Sequence, residues 1–205
     1  MLVLALTGSP GSGKSTVADH LVLRHGFRRL RFGEPLKTML GALIAAQGRP
    51  PDYVKRCLEG DLKTRPVREL AGRTPRHALQ SLAQGWGRDM IGPDLWVQCW
   101  RGTVEPMLQA GPVVAEDCSR FEEVDMVRAL GGLVWRIVRT DGRTDGRTDG
   151  RDGDDSGLAT APDPEQAAFE VDANLLNNGA VPALLLHVNQ LLRDYVRRQH
   201  GKTDR

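Results

Sequence analysis

The chain has 205 residues, of which 40% are hydrophobic and 26% charged, a balance typical of one globular domain with a substantial core. Its net charge of +2 is nearly neutral, which argues against a surface that coats nucleic acid. Three widely spaced cysteines favour reduced thiols over a disulfide framework, and no segment has the apolar length needed to span a bilayer. These features predict a single domain over residues 1–205, cytoplasmic and without a membrane partner.

The first predicted element is a short apolar strand at residues 2–6, followed by a glycine-rich turn and a helix. Residues 8–15 read GSPGSGKS and match G-x-x-x-x-G-K-[ST], the phosphate-binding P-loop. In such a turn, backbone N–H groups and the helix dipole hold phosphates, the lysine reaches the β- and γ-phosphates, and the serine ligates Mg²⁺. The motif predicts a nucleoside triphosphate site formed by Gly8, Gly11, Ser12, Gly13, Lys14, Ser15 and Thr16, with Ser15 on the metal.

The rest of the chain alternates short apolar strands with amphipathic helices. Further strands are predicted at residues 27–32, 113–115, 133–138 and 171–175. Helices are predicted at 34–47, 52–62, 94–108, 122–130 and 181–198, and one more begins at Thr74 and Pro75. This alternation predicts an α/β protein whose parallel sheet is covered by helices on both faces. Because ligands of such sheets bind beyond the carboxyl ends of the strands, residues 8–15, 33–37 and 117–120 are predicted to meet there.

A tandem repeat stands between the fourth and fifth predicted strands. The sequence TDGR occurs three times over residues 140–151 and then decays into DGDD. Such a composition cannot bury apolar surface, so a mobile loop is predicted over residues 140–157. It is either a lid whose arginines close over ATP or an inert expansion of a surface loop, and its self-similarity favours the expansion.

Small size and a basic stretch after the P-loop helix favour a small-molecule kinase among the P-loop proteins. The stretch contains Arg28, Arg29, Arg31 and Lys37, which lie where a second phosphate could be held. A solvated basic face is the more ordinary interpretation of Arg28 and Arg29. Lys37 is the stronger candidate, because it lies on the first turn of a helix that borders the site.

Beyond the P-loop, short motifs follow one another in a definite order. They are FGEPLK at residues 32–37, TPRHALQ at 74–80, WGRD at 86–89, PDLWV at 93–97, Asp117 with Glu123, VR at 138–139, and the stretch 172–179. In this order the chain resembles the bacteriophage deoxynucleoside monophosphate kinases, within the P-loop nucleoside monophosphate kinase superfamily. Two features depart from that family: Arg120 falls one residue late, and the H-x-[ST]-E motif of the lid is missing.

The resemblance implies a three-layer P-loop NTPase fold with strand order 2-3-1-4-5, ATP with Mg²⁺ as donor, and a deoxynucleoside monophosphate as acceptor. It implies catalytic roles for Lys14, Asp117, Arg120 and Arg139, and a place for Asn177 in nucleotide binding. Asp117, at a strand end facing the P-loop, is also the candidate to order metal-bound water. The acceptor site is predicted to contain Leu36, Lys37, Arg76, Gln80, Trp86, Arg88 and Glu123.

Physical chemistry distinguishes these acceptor-site candidates from one another. Arg76 is the first choice for the acceptor phosphate, since a guanidinium binds phosphate through two parallel hydrogen bonds. Gln80, one helical turn further, could read a base edge. Arg88 binds phosphate or pairs with Asp89 or Glu69, while Trp86 and Trp96 are more ordinary as core residues than as stacking platforms. Asp117 has the alternative role of capping the helix predicted at 122–130.

Three other functions compete with the deoxynucleoside monophosphate kinase. A kinase acting on a modified base within DNA would need a basic, aromatic-lined groove, and the near-neutral charge with 5% aromatic residues argues against one. Another small-molecule kinase would leave TPRHALQ and WGRD unexplained. A non-catalytic switch would carry a base-specificity motif, which the sequence lacks. Free nucleotides are therefore the predicted partners of a monomer or homodimer.

Overall fold

A computed structural model of the chain describes residues 2–139 and 164–203, with side chains in the second range to residue 198. Its sheet contains five parallel strands in the order β2-β3-β1-β4-β5. They are β1 (Val3–Thr7), β2 (Arg28–Arg29), β3 (Val113–Ala115), β4 (Leu133–Val138) and β5 (Ala173–Leu176). The predicted α/β class and the strand order implied by the resemblance are both confirmed.

The helices lie close to their predicted bounds. They are α1 (Lys14–His25), α2 (Glu34–Ala45), α3 (Pro51–Glu59), α4 (Pro75–Ser81), α5 (Leu95–Ala110), α6 (Phe121–Ala129), α7 (Pro164–Ala167) and α8 (Val181–Thr203). A 3₁₀ turn (Arg68–Leu70) and a π-helix (Leu82–Ile91) lie between α3 and α5. The π-helix and α7 were not predicted from the sequence. The predicted loop at residues 140–157, with its repeat, lies outside the described residues.

The core has two halves, because side chains of the central strand alternate between the faces of the sheet. Val3 and Ala5 face one layer, where α5 and α6 pack, and Leu4 and Leu6 face the other, where α1 and α8 pack. Helix α8 packs on the sheet and α1 through three buried side chains, Leu184, Val188 and Leu192. Helices thus cover both faces of the sheet, so a ligand can bind only beyond the ends of its strands.

A third, smaller core joins the helices that follow β2. It contains Leu40 and Ile44 of α2, Cys57 of α3 and Val67 of the following loop. Because α2 and α3 form a hairpin, the start of α2 and the end of α3 return to the same place, beside the carboxyl end of the sheet. The hairpin therefore places Lys37 of α2 next to Glu59 of α3 at this end of the sheet.

Strand β2 is much shorter than the predicted 27–32. Arg28 and Arg29 pair with β3, which is itself only three residues long. Three residues after Arg29, the backbone N–H groups of Phe32 and Gly33 donate to the carboxylate of Asp117 instead of a strand carbonyl. The Asp117 carboxylate thus takes the place of the hydrogen bonds between strands, and the chain turns into α2.

Among residues 2–139 and 164–203, no helix combines the length and the apolar character that a membrane crossing requires.

Candidate functional site

The P-loop is a tightly wound turn between β1 and α1. Gly8, Gly11 and Gly13 have φ angles of +134°, +70° and +106°, which side chains rarely tolerate. A Cβ at Gly8 would lie 2.3 Å from the carbonyl oxygen of Ile137, and one at Gly13 would lie 2.5 Å from Nδ2 of Asn177. The glycines of the motif are therefore needed for close approach to the ends of β4 and β5 as well as for the turn itself.

The lysine of the motif lies folded over this turn. Lys14 is buried, and its Nζ donates to the carbonyl oxygens of Gly8 and Ser9, each at 2.8 Å. A buried ammonium needs such partners, because its desolvation is otherwise costly. The positive charge is thus held in place at the turn before any phosphate arrives.

Two residues predicted from the resemblance brace the turn from the neighbouring strand ends. Asn177, just after β5, donates from Nδ2 to the carbonyl oxygen of Ser12 at 2.7 Å. Arg139, just after β4, donates from Nε to the carbonyl oxygen of Asn177 and from a terminal nitrogen to that of Gly11, both at 3.1 Å. Both residues therefore lie at the P-loop, and their contacts orient its backbone, a role that the sequence did not predict.

Asp117 ties the end of β3 to the start of α2. Its Oδ1 accepts from Phe32 N–H at 2.9 Å and its Oδ2 from Gly33 N–H at 3.1 Å. This contact brings residues 33–37 and 117 together, as the sheet topology predicts. The alternative prediction, that Asp117 caps α6, is wrong, because Arg120 occupies the N-cap position there.

A neighbouring acid, Glu116, is a partner of the basic stretch that the sequence analysis did not predict. It is buried and accepts from Arg31 through Nε at 2.6 Å and a second nitrogen at 2.5 Å. Arg29 lies 3.7 Å from the same carboxylate and also pairs with Asp19 at 2.7 Å. A solvated face is therefore the wrong interpretation of Arg29, although Arg28 is exposed. The sequence did contain a signal for this pairing, since an acidic residue directly follows a buried strand and several arginines lie in or just after the neighbouring one.

The predicted acceptor residues lie on α2, α4 and the π-helix, except Glu123, which lies on α6. Lys37 pairs with Glu59 at 2.7 Å, beside the half-buried Leu36. Arg76 is half-buried at the start of α4, where Thr74 caps the helix by accepting from His77 N–H at 3.1 Å. Gln80 is exposed one turn later.

The two tryptophans have different environments. Trp96 is buried, and its Nε1 donates to the carbonyl oxygen of Ala83 at 2.9 Å, so it is a core residue. Trp86 is 39% exposed, with its ring centroid 5.9 Å from that of Trp96. Only Trp86 thus presents a ring surface to solvent.

Arg88 forms neither of the ion pairs predicted for it. Glu69 instead accepts from Tyr53 and Arg49, and Asp89 accepts from Gln84 at 2.8 Å. Within the described part of the chain, the Nε of Arg88 is buried without a hydrogen-bond partner. The positive charge of Arg88 lowers the pKa of the buried Glu123, against the larger effects that raise it.

Glu123 organises the loop between β3 and α6. Its Oε2 accepts from the N–H groups of Ser119 and Arg120, at 2.7 and 3.2 Å. The Arg120 side chain is directed at α7, where it pairs with Glu165 at 3.3 Å. Burial and, second, the negative charge of Asp117 raise the pKa of Glu123 to about 8.

This shift predicts a pH-dependent stability that a neutral isostere removes. Since the pKa of Glu123 rises from 4.5 to about 8 on folding, its contribution to stability is complete below pH 4.5 and is lost as the pH rises through about 8. Glu123→Gln keeps an accepting oxygen without the charge. We expect its free energy of unfolding, relative to wild type, to increase by more than about 1 kcal/mol between pH 5 and pH 8.5. Urea denaturation at both pH values checks this, and parallel curves would contradict it.

A magnesium site at this turn would not depend on a preformed cluster of acids. Mg²⁺ in phosphotransferases keeps several waters and binds through substrate phosphates with one or two protein oxygens. The described residues contain no cluster of three potential His, Cys, Asp or Glu ligands. The hydroxyl of Ser15, next to the buried Lys14 at the start of α1, suits that kind of site.

The strand order and the P-loop place the chain in a structural class: it has the α/β fold of the P-loop kinases. The fold is similar to that of TT1252 from Thermus thermophilus, with a TM-score of 0.50, 21% identity, and coverage of 94% of this chain and 97% of that one. No protein-family model matches the chain. Over 149 residues it is 27% identical to an Acanthamoeba polyphaga mimivirus protein named "Putative deoxynucleotide monophosphate kinase", covering 68% of this chain and 75% of that protein.

Proposed function

We propose that the chain is a nucleotide kinase that transfers the γ-phosphate of ATP to the 5′-phosphate of a deoxynucleoside monophosphate. The observation that carries the proposal is a P-loop with its lysine already buried at the turn, in a fold whose helices α2 and α4 bear Lys37 and Arg76. The name of the mimivirus protein and the motifs resembling bacteriophage enzymes support a nucleotide acceptor.

On the donor side, the chain promotes transfer by positioning the phosphates of ATP and neutralising their negative charge. The P-loop backbone binds the phosphates, and Lys14 exchanges its carbonyl partners for the β- and γ-phosphate oxygens. Arg139 and Asn177 keep the turn in shape through the carbonyl oxygens of Gly11 and Ser12. Magnesium, held by Ser15 with Asp117 ordering its water, would neutralise charge on the transferred group.

On the acceptor side, Arg76 and Lys37 hold the monophosphate, with Leu36 lining the pocket. Gln80 offers an amide to the base edge, and the exposed ring surface of Trp86 lies six residues further along. Arg88 and Glu123 complete this side of the site, and Arg120 adds charge from the start of α6. In this proposal one kinase domain over residues 1–205 acts on free nucleotides in the cytoplasm.

A phosphoryl-transfer screen with ATP and Mg²⁺ tests the proposal. The acceptors are the four common deoxynucleoside monophosphates, their ribonucleotide counterparts, hydroxymethylated dUMP and dCMP, and single- and double-stranded DNA. We expect diphosphates from free deoxynucleotides, and the ranking of acceptors identifies the base. Labelled DNA without any free diphosphate would replace the proposal by a kinase that acts on DNA.

A further inference from the structure

One carboxylate of the α2–α3 hairpin, that of Glu59, is contacted by two cations, whereas an ordinary ion pair has one. Glu59 is the last residue of α3, and its Oε1 accepts from Lys37 Nζ at 2.7 Å and from an Arg31 terminal nitrogen at 2.9 Å. The hydrogen bond from Lys37 is the largest cause that lowers the pKa of Glu59, and the charges of Arg31 and Lys63 lower it further. The three cations come from three different segments of the chain.

The carboxylate is also the most exposed member of this group. Its side chain is 42% exposed, against 16% for Lys37 and 23% for Arg31, and Lys63 is buried. Glu59 stands at a helix C-terminus, where the dipole disfavours negative charge. An open groove of about 480 Å³ between α2 and α3 is lined by both Glu59 and Lys37, which leaves room for the carboxylate to move aside.

Arg31 is anchored independently of Glu59. Its Nε and one terminal nitrogen are both committed to the buried Glu116, so only the other terminal nitrogen is offered to Glu59. Lys37 likewise stands on the first turn of α2, whose start is fixed by the bond from Gly33 to Asp117. The Arg31 guanidinium therefore keeps its place when the shared acceptor leaves, and the backbone that carries Lys37 stays fixed.

We propose that Glu59 stands in for a phosphate monoester: Lys37 and Arg31 form an anion subsite whose resident carboxylate a phosphate must displace. A phosphate dianion offers three accepting oxygens and more charge than a carboxylate, so exchange at these donors favours it. Displacement costs part of the binding free energy, and Glu59 thereby weakens the apparent affinity for the anion. That the monoester is the 5′-phosphate of the acceptor nucleotide rests on the proposed function, whereas the subsite itself does not.

Neutralising Glu59 while keeping its shape tests the proposal. In Glu59→Gln we expect inorganic phosphate to bind about fivefold or more tightly, because one unit of negative charge beside the donors is gone. Affinity is measured by isothermal titration calorimetry with the P-loop saturated by Mg²⁺ and a non-hydrolysable ATP analogue. The matched control is Glu105→Gln, since Glu105 is 48% exposed and pairs with Arg101 at 2.6 Å; its phosphate affinity should equal that of wild type.

The outcomes separate this inference from the proposed function. If Glu59→Gln binds phosphate no more tightly than wild type, Glu59 is only a structural partner of Lys37 and the subsite is rejected, whatever the acceptor screen shows. If the variant gains affinity and the added change Lys37→Ala removes the gain, the subsite stands. With nucleotide acceptors the same gain should lower KM and leave kcat nearly unchanged. A gain for phosphate with no turnover of any nucleotide would retain the subsite and reject the acceptor. Thermal melts establish that each variant is folded.

Discussion

Replacing Lys14 by alanine is expected to lower kcat for phosphoryl transfer by at least about 100-fold and to leave the fold intact. The lysine charge is held at the turn by the carbonyl oxygens of Gly8 and Ser9, ready for phosphate. Such preorganised charge costs no reorganisation when negative charge develops on the transferred group.

Initial rates with saturating ATP and the best acceptor of the screen measure this effect. Arg24→Ala is the control, since Arg24 is an exposed cation in the last turn of α1, at the opposite end of that helix from the P-loop. Thermal melts of both variants separate lost chemistry from lost structure. If Lys14→Ala turned over within tenfold of wild type, the P-loop would not be the site of phosphoryl transfer.

Replacing Gly87 by alanine is expected to destabilise the protein by about 1–3 kcal/mol through overpacking. A Cβ at Gly87 would lie 2.3 Å from Nε1 of Trp96 and 2.4 Å from two ring carbons. The indole cannot move away easily, because it is buried and its Nε1 is bonded to Ala83. Each kcal/mol lost lowers Tm by about 2–4 °C in a chain of this size.

The same π-helix supplies a matched control. Gly85 stands two residues earlier, and nothing lies within 4 Å of a Cβ built there. Gly85→Ala should therefore be neutral or stabilise by up to about 1 kcal/mol, since alanine loses less backbone entropy on ordering. Thermal melts of the two variants check the prediction, and equal Tm values would contradict the close contact between Gly87 and Trp96.

This contact also gives a physical reason for two of the sequence motifs. The glycine of WGRD packs on the tryptophan of PDLWV, and the intervening chain forms a π-helix in which Gly92 N–H donates to Gly87 O at 2.9 Å. Part of the resemblance to nucleotide kinases at these motifs is therefore explained by the packing of Gly87 against Trp96. Trp86 and Arg88, on either side of Gly87, are positioned by that packing.

Local patterns in the sequence were enough to predict the P-loop, the helices and most of the sheet. The glycines, lysine and serine of residues 8–15 lie in one continuous stretch that runs from the turn into α1. The apolar runs of β1, β3 and β4 are buried on both faces of the sheet, so in each case a short stretch of chain carries the information. Strand β2 was overestimated, since its end depends on Asp117, a residue 85 positions away from Phe32.

The partners of the charged residues were decided only by the tertiary structure. Asn177 reaches Ser12 across 165 positions, and Arg139 reaches Gly11 across 128. The sequence placed cations near a second phosphate, yet Glu116 and Glu59 determine which of them are already paired. The raised pKa of Glu123 likewise follows from burial and from the charge of Asp117. Periodicity and motifs report on neighbours along the chain, whereas electrostatics and burial depend on neighbours in space, which only the folded sheet brings together.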